Sequence, residues 1–302
     1  MAEAAGHIRS SRFALPALLL GATAIGLAPI FVRISELGPT ATAFHRMFLS
    51  LPVLAIGLAF ARRTSAASSG RLDRRALFLM LAAGAFFAGD LASWHRSILI
   101  TSVANATLLT NVTPIFVVLV GWWFFGERVG LRFMVGVALA IGGAALLIGK
   151  DLQLSTAHFY GDALALIAAV FYSGYLITIS RARSSHTTII VMLVSGVACS
   201  ALLLPLTLLS GENLVPATAQ GWAILIGLAV ISHAGGQGLI AYALAHLPAS
   251  FGSVALLWQP VAAAVFAWLL LSEPLSAWQI VGGAIVLAGI ALSRSAQRKS
   301  EI

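Results

Sequence analysis

Charge is what this sequence lacks most. Only 9% of its 302 residues are Asp, Glu, Lys or Arg, while 60% are apolar and the mean hydropathy is +0.97. A soluble domain carries about 25% charged residues, and so few charges cannot cover a chain of this length in water. A water-soluble globule is excluded, and the solvent around most of the chain is lipid. Cysteine is almost missing too: Cys199 stands alone in an apolar run. No disulfide framework and no multi-cysteine metal site can be built from it. There is no P-loop, no His-Glu-x-x-His, no Gly-x-Ser-x-Gly and no set of ligands at zinc spacing, so neither a metal nor a cofactor is expected and ATP-driven pumping has no support. Acidic residues are the scarcer sign, 10 against 18 basic ones, for a net charge of +8. In a soluble protein that excess would suggest nucleic acid; in a membrane protein it marks cytoplasmic loops.

What is present is a series of apolar runs. A helix crossing about 30 Å of hydrocarbon needs about 20 apolar residues, because backbone amides in lipid must be satisfied within the segment. Ten runs qualify, at about 13–32, 41–61, 75–96, 101–125, 131–149, 161–180, 187–209, 219–244, 250–271 and 277–293. The first is too long for a signal-peptide core and lacks a small-x-small cleavage site, which predicts an uncleaved first helix. From Asn213 to Ser272 there is no charged residue at all. At about 1.5 Å per residue that stretch is too long for one crossing. The break is expected at His246-Leu247-Pro248-Ala249-Ser250, where proline ends one helix and Ser250 caps the next.

Counting Lys and Arg sets the orientation. With the N-terminus inside, fourteen fall in cytoplasmic segments and three outside, at Arg33, Arg96 and Lys150, while Arg46 lies within the second helix. Both termini are therefore expected in the cytoplasm, in a multi-pass protein of the cell inner (plasma) membrane. The Ser/Ala/Gly-rich run Arg62–Arg75 reads as a solvated inner loop, and no nucleic-acid partner is expected. The partners expected are the lipid bilayer and a small-molecule substrate, with the protein a monomer or weak homodimer.

Sliding the chain by 146 residues lays Pro114 on Pro260, Trp122 on Trp268, Glu127 on Glu273, Gly136 on Gly282, Gly143 on Gly289 and Leu146 on Leu292. Apolar residues coincide easily, but a lone Pro and a lone Glu thirteen residues apart do not coincide twice by composition. The chain is read as a duplication, residues 1–150 and 151–302. Five helices is an odd number, so the second copy enters the membrane upside down. Inverted repeats are a signature of secondary transporters, which expose a midplane site to either side in turn.

The same residues carry a resemblance. Ser102-Val103-Ala104-Asn105-Ala106 opening a helix, Pro114 within it, Trp122-Trp123-Phe124-Phe125-Gly126-Glu127 at its end and then Gly136 with Gly142-Gly143 resemble the EamA domain of the drug/metabolite transporter superfamily. Ala249-Ser250-Phe251-Gly252, Pro260, Ser272-Glu273-Pro274 and Gly282-Gly283 repeat the likeness. The resemblance covers nearly the whole chain and implies ten-helix transporters or exporters of amino acids, nucleotide sugars, amines and other metabolites. Its nearest likeness is to the bacterial amino-acid exporters, including those for aromatic amino acids. The fold expected is all-α, ten transmembrane helices in two inverted five-helix repeats around a central cavity walled mainly by helices 1, 3, 4, 6, 8 and 9.

Polar residues inside the spans are the candidate site. Asp90 lies about fifteen residues into the third helix, and an isolated carboxylate at that depth tends to face an internal cavity. Trp94, one turn on, would present an aromatic wall beside it for an ammonium group. The alternative for Asp90 is a neutral group, or a pair with Arg46, His95 or Arg96. His233 is placed opposite Phe87 by the repeat offset and shares a stripe with Gln237. Asn111 shares a face with Thr107, Trp258-Gln259 precede the second proline, and Tyr172 and Tyr175 lie three apart. Each of these is read as a cavity residue or as helix-packing glue. His45-Arg46 either snorkels to the headgroups or pairs with an acid. Pro114 and Pro260 should kink their helices. Glu127 and Glu273 are read as structural helix-end carboxylates, and the paired glycines as points of close helix approach. The function expected is export of small metabolites, amino acids foremost, by alternating access without ATP. The alternatives are a membrane-embedded enzyme or lipid-modifying protein, for which no nucleophile and base are plain, and a passive channel, for which no filter element is seen.

Overall fold

The computed structural model describes residues 2–63, 73–101, 103–126, 129–148, 159–271 and 276–300. These residues form helices and no strands. Among the described residues, nine helical segments are long and apolar enough to cross a membrane: Phe13–Arg33, Pro39–Arg63, Arg74–Ile100, Ala106–Phe125, Phe159–Arg183, Thr188–Ser210, Ala219–Ala243, Ala249–Phe266 and Ala277–Gln297. A shorter apolar helix, Leu131–Leu147, completes a set of ten. The protein is a multi-pass membrane protein whose spans match those read from hydropathy.

Five spans are broken. The first divides into α1 (Ala2–Gly26) and α2 (Ala28–Arg33), the second into α3 (Pro39–Phe48) and α4 (Ser50–Arg63). The third is a single helix, α5 (Arg74–Ile100); the fourth divides into α6 (Val103–Thr110) and α7 (Thr113–Phe125), and the fifth is α8 (Leu131–Ile148). The second repeat runs α9 (Phe159–Arg183), α10 (Thr188–Ser210), then an eighth span made of α11 (Ala219–Gly227), a π-helical stretch Leu228–Gln237 and α12 (Gly238–Ala243). The ninth divides into α13 (Ala249–Ala255) and α14 (Trp258–Leu271), and α15 (Ala277–Ser300) ends the fold. The break expected at Pro248 is there: the helix stops at Ala243 and restarts at Ala249, with Pro248 rather than Ser250 in the cap position.

Helix ends follow local chemistry. Asp73 caps α5 by accepting the Ala76 N–H at 2.6 Å. Gly126 and Gly211 end α7 and α10 at positive φ, 65° and 70°, where a side chain would be strained. At the end holding the 34–38 and 211–218 loops, two carboxylates exchange helix starts. Glu212 accepts the Ala41 N–H at 2.8 Å in the first turn of α3. Glu36 accepts N–H groups of Ala217 and Thr218 and the Thr218 hydroxyl just before α11. Each anion meets the positive end of the helix after the other's loop.

The fifth and tenth spans show the inversion directly. A Cβ built on Gly136 would lie 2.8 Å from the Gly289 carbonyl oxygen, and one on Gly143 would lie 2.8 Å from that of Gly282. Under the offset of 146 residues, Gly289 is the counterpart of Gly143 and Gly282 that of Gly136. The contact therefore maps onto itself, the mark of a twofold axis. Early residues of α8 face late residues of α15, so the counterparts run antiparallel and the repeats are inverted. Phe87 and its counterpart His233 also meet, with ring centroids 5.4 Å apart and planes at 28°.

Candidate functional site

Four of the five breaks, those of the first, fourth, eighth and ninth spans, lie where the polar residues gather. Pro114 has no N–H, so the Thr110 carbonyl one turn back loses its helical partner. The Thr113 hydroxyl donates to that carbonyl at 2.7 Å, and the Thr110 hydroxyl donates in turn to Ala106 at 2.7 Å. Pro260 frees the carbonyl of Leu256, which takes the Gln259 N–H at 2.9 Å instead. In the first span Pro29 follows the gap between α1 and α2. In the eighth the wide π turns end at Gln237. Irregular backbone at membrane depth is tolerated where it is covered by protein or lines a cavity. All four breaks do line one.

That cavity, of about 80 Å³, is bounded by Gly26 and Pro29 of the first span, Arg46 of the second, Asp90 and Trp94 of the third, Thr107 and Asn111 of the fourth, Tyr172 of the sixth, Gln237 of the eighth, and Gln259 and Pro260 of the ninth. Spans 1, 3, 4, 6, 8 and 9 supply walls as expected, and span 2 adds Arg46. Of the nine residues singled out from the sequence, Asp90, Trp94, Asn111, Tyr172, Gln237 and Gln259 line the hollow. Tyr175, His233 and Trp258 stand in the layer behind. Tyr175 stacks on Phe87 at 4.4 Å and on Tyr172 at 5.8 Å, and its hydroxyl donates to the sulfur of Met192. His233 also stacks against Phe87. The Trp258 indole N–H donates to Thr23 Oγ1 at 2.8 Å, tying the ninth span to the first. Glu127 and Glu273 lie outside the described residues.

Arg46 is the residue whose place could not be read from the sequence. It does not snorkel to the headgroups: it is 3% exposed, with its guanidinium carbon 5.7 Å from the centroid of the Phe87 ring. Asp90, 7% exposed, lines the same hollow. Among the described residues no ion pair joins them, and Arg46 Nε has no hydrogen-bond partner. His95 and His45 are engaged elsewhere, their Nδ1 atoms on the carbonyls of Pro39 and Ala41. Asn111 Nδ2, Gln237 Oε1 and Gln259 Nε2 are likewise buried and unpartnered. Buried polar groups are nearly always paired, and these meet around one hollow.

A second hollow, of about 270 Å³, lies farther along the same three spans that form much of the first: Val117, Gly121 and Phe125 of the fourth, Ile177 and Arg181 of the sixth, and Pro248 and Ala249 at the start of the ninth. Arg181 lies over the Phe125 ring, 3.3 Å from its centroid. Thr113, Ser173, Leu176, Phe251 and Val254, on the same three spans, are buried.

Comparison with known proteins agrees with this architecture. Residues 12–149 and 159–295 each match the EamA-like transporter family. The pseudopaline exporter CntI of Pseudomonas aeruginosa strain UCBPP-PA14 is 32% identical over 226 residues, covering 74% of this chain and 78% of that protein. An uncharacterized transporter of Archaeoglobus fulgidus is 26% identical over 94% of this chain and 97% of its own. A probable terminal-alkyne amino-acid exporter of Streptantibioticus cattleyicolor is 29% identical over 62% of this chain and 63% of that protein. A solved crystal structure shares the fold, with a TM-score of 0.76 over 95% of this chain and 98% of that one at 18% identity.

Proposed function

The chain belongs to the EamA-like transporter family, a transporter rather than an enzyme, and we propose that it exports small metabolites, amino acids foremost, across the inner membrane by alternating access. One observation carries this reading. Unpartnered buried polar atoms from four spans converge on a hollow built at helix breaks, the arrangement secondary transporters use for a midplane site. The names of two relatives, both exporters, favour the same direction of transport.

In this reading the halves 1–150 and 151–302 rock about the axis between α8 and α15. The two hollows along spans 4, 6 and 9 are then the ends of one path, each open in turn. Asp90 beside Trp94 receives an ammonium group, and the amides of Asn111, Gln237 and Gln259 meet the remainder of the substrate. Tyr175, His233 and Trp258 hold that wall from behind. Both termini face the cytoplasm, as the arginine distribution requires.

Counterflow of labelled amino acids in proteoliposomes tests the proposal. Saturable exchange supports it; an ohmic current without saturation makes the protein a channel, and chemical change of the substrate makes it an enzyme. Cysteine accessibility tests the orientation, and finding the Arg62–Arg75 loop and the segment at Arg298 on opposite sides would overturn it.

A further inference from the structure

Resting on the amino-acid reading above, we propose that Arg46 and Asp90 form a two-ended clamp for a small, neutral, zwitterionic α-amino acid, the guanidinium taking the carboxylate and Asp90 the ammonium.

A buried arginine and a buried aspartate in one wall would ordinarily close on each other, since an unpaired charge in the membrane interior is expensive. Here they do not. Arg46 rests on Phe87 with its Nε free, and Asp90 faces the same hollow beside Trp94. That ring also stacks with Tyr175 and with His233. The guanidinium is thus held by an aromatic face, which leaves its N–H edge available for a carboxylate. A zwitterion inserted between the two charges gives each an opposite neighbour and leaves the site neutral overall. Neither a simple amine nor a simple acid does so, because each leaves one buried charge unmatched. The remaining walls are amides, hydroxyls, aromatic rings and aliphatic groups such as Ile25 and Leu91, so a third charge on the substrate would find no partner there.

The hollow itself is small, about 80 Å³.

The test uses the purified full-length protein and a matched set of ligands. L-alanine carries both charges, L-alaninamide only the cation, and N-acetyl-L-alanine only the anion. Thermal stabilisation in detergent reads binding, and competition against alanine counterflow in proteoliposomes reads transport. For the wild type, alanine should stabilise and compete, while both derivatives and L-lysine and L-glutamate should be weaker by about tenfold or more, the loss expected when a charged hydrogen-bonding group goes unmatched. Arg46→Met should lose alanine and gain alaninamide; Asp90→Asn should lose alanine and gain N-acetylalanine. Such opposite switching cannot come from a general loss of structure. Should Arg46→Met fail to fold, Arg46→Lys keeps the charge but not the planar fork, and should bind alanine more weakly while still rejecting alaninamide. If alanine is carried but alaninamide or N-acetylalanine competes equally well, the clamp is refuted and the amino-acid reading stands. If no amino acid is bound or carried, both fall.

Discussion

In each repeat the fourth and fifth spans follow one another in the chain, yet one is cut at a proline and the other runs unbroken. Spans 4 and 9 stop at Thr110 and Ala255 and restart at Thr113 and Trp258. Spans 5 and 10 are the single helices α8 and α15, joined backbone to backbone through glycines. The first pair gives up regular hydrogen bonding and leaves polar side chains facing a hollow. The second gives up side-chain volume and gains close approach, with the buried Ser293 hydroxyl donating across it to the Phe133 carbonyl. The same duplicated segment therefore carries both a fixed seam and a shaped wall, and the difference comes from where proline and glycine fall.

That contrast can be broken most severely at the seam. Gly143→Leu has no room, because even a Cβ there meets Val286 N at 2.6 Å; loss of monodisperse protein in size-exclusion chromatography is expected. Gly142→Leu, one residue away with nothing within 4 Å, should leave the yield unchanged. Equal yields for the two variants would refute the seam.

At the wall, effects should appear in transport and not in folding. Asp90→Asn keeps shape and removes charge, and should lower amino-acid counterflow by about ten- to hundredfold at wild-type yield. Unchanged counterflow would make Asp90 structural. Pro260→Ala is expected to act more gently. It restores an N–H that competes for the Leu256 carbonyl now held by Gln259, straightens the ninth span and should reduce counterflow by less than Asp90→Asn does. Counterflow rates of the two variants side by side rank them.

The smallest effect lies outside the membrane. The Thr218 hydroxyl, with backbone N–H groups of Thr218, Ala217 and Gly221, holds the Glu36 carboxyl below its ordinary value. A depressed folded value stabilises the protein above the ordinary range of about 4.3 and loses that contribution as pH falls through it. Melting temperature should drop by no more than a few degrees on acidification below that range. Glu36→Gln should melt slightly lower at neutral pH, with a shallower acid dependence.

The ten spans, the duplication, the glycine seam and two of the breaks were legible in sequence, because length, hydropathy and the positions of Pro114 and Pro260 are properties of a segment by itself. The gap before Pro29 had a signal, the proline, whose consequence depended on what surrounded it. The π-helical turns of Leu228–Gln237 had only a run of small residues, Ala234-Gly235-Gly236, which equally suits an ordinary tight helix contact.

Which polar residues share a hollow was a different kind of question. Helical spacing placed Asp90 and Trp94 on one face, and His233 and Gln237 on another, but it is silent on which faces meet. Packing put Gln237 at the cavity and turned His233 onto Phe87, three side chains of similar promise having been set behind the wall by their neighbours. Arg46 shows the limit most clearly. Its sequence position allowed a long side chain to reach the headgroups or an acid, and the Phe87 ring, itself stacked with residues of the sixth and eighth spans, lies beneath it inside the fold. The sequence by itself determined the solvent, the number of crossings and the inverted duplication, since these follow from hydrophobicity and periodicity along the chain. The tertiary structure alone decided that a buried arginine and a buried aspartate face one hollow without pairing, because that depends on distances between residues 44 positions apart, set by spans that neither belongs to.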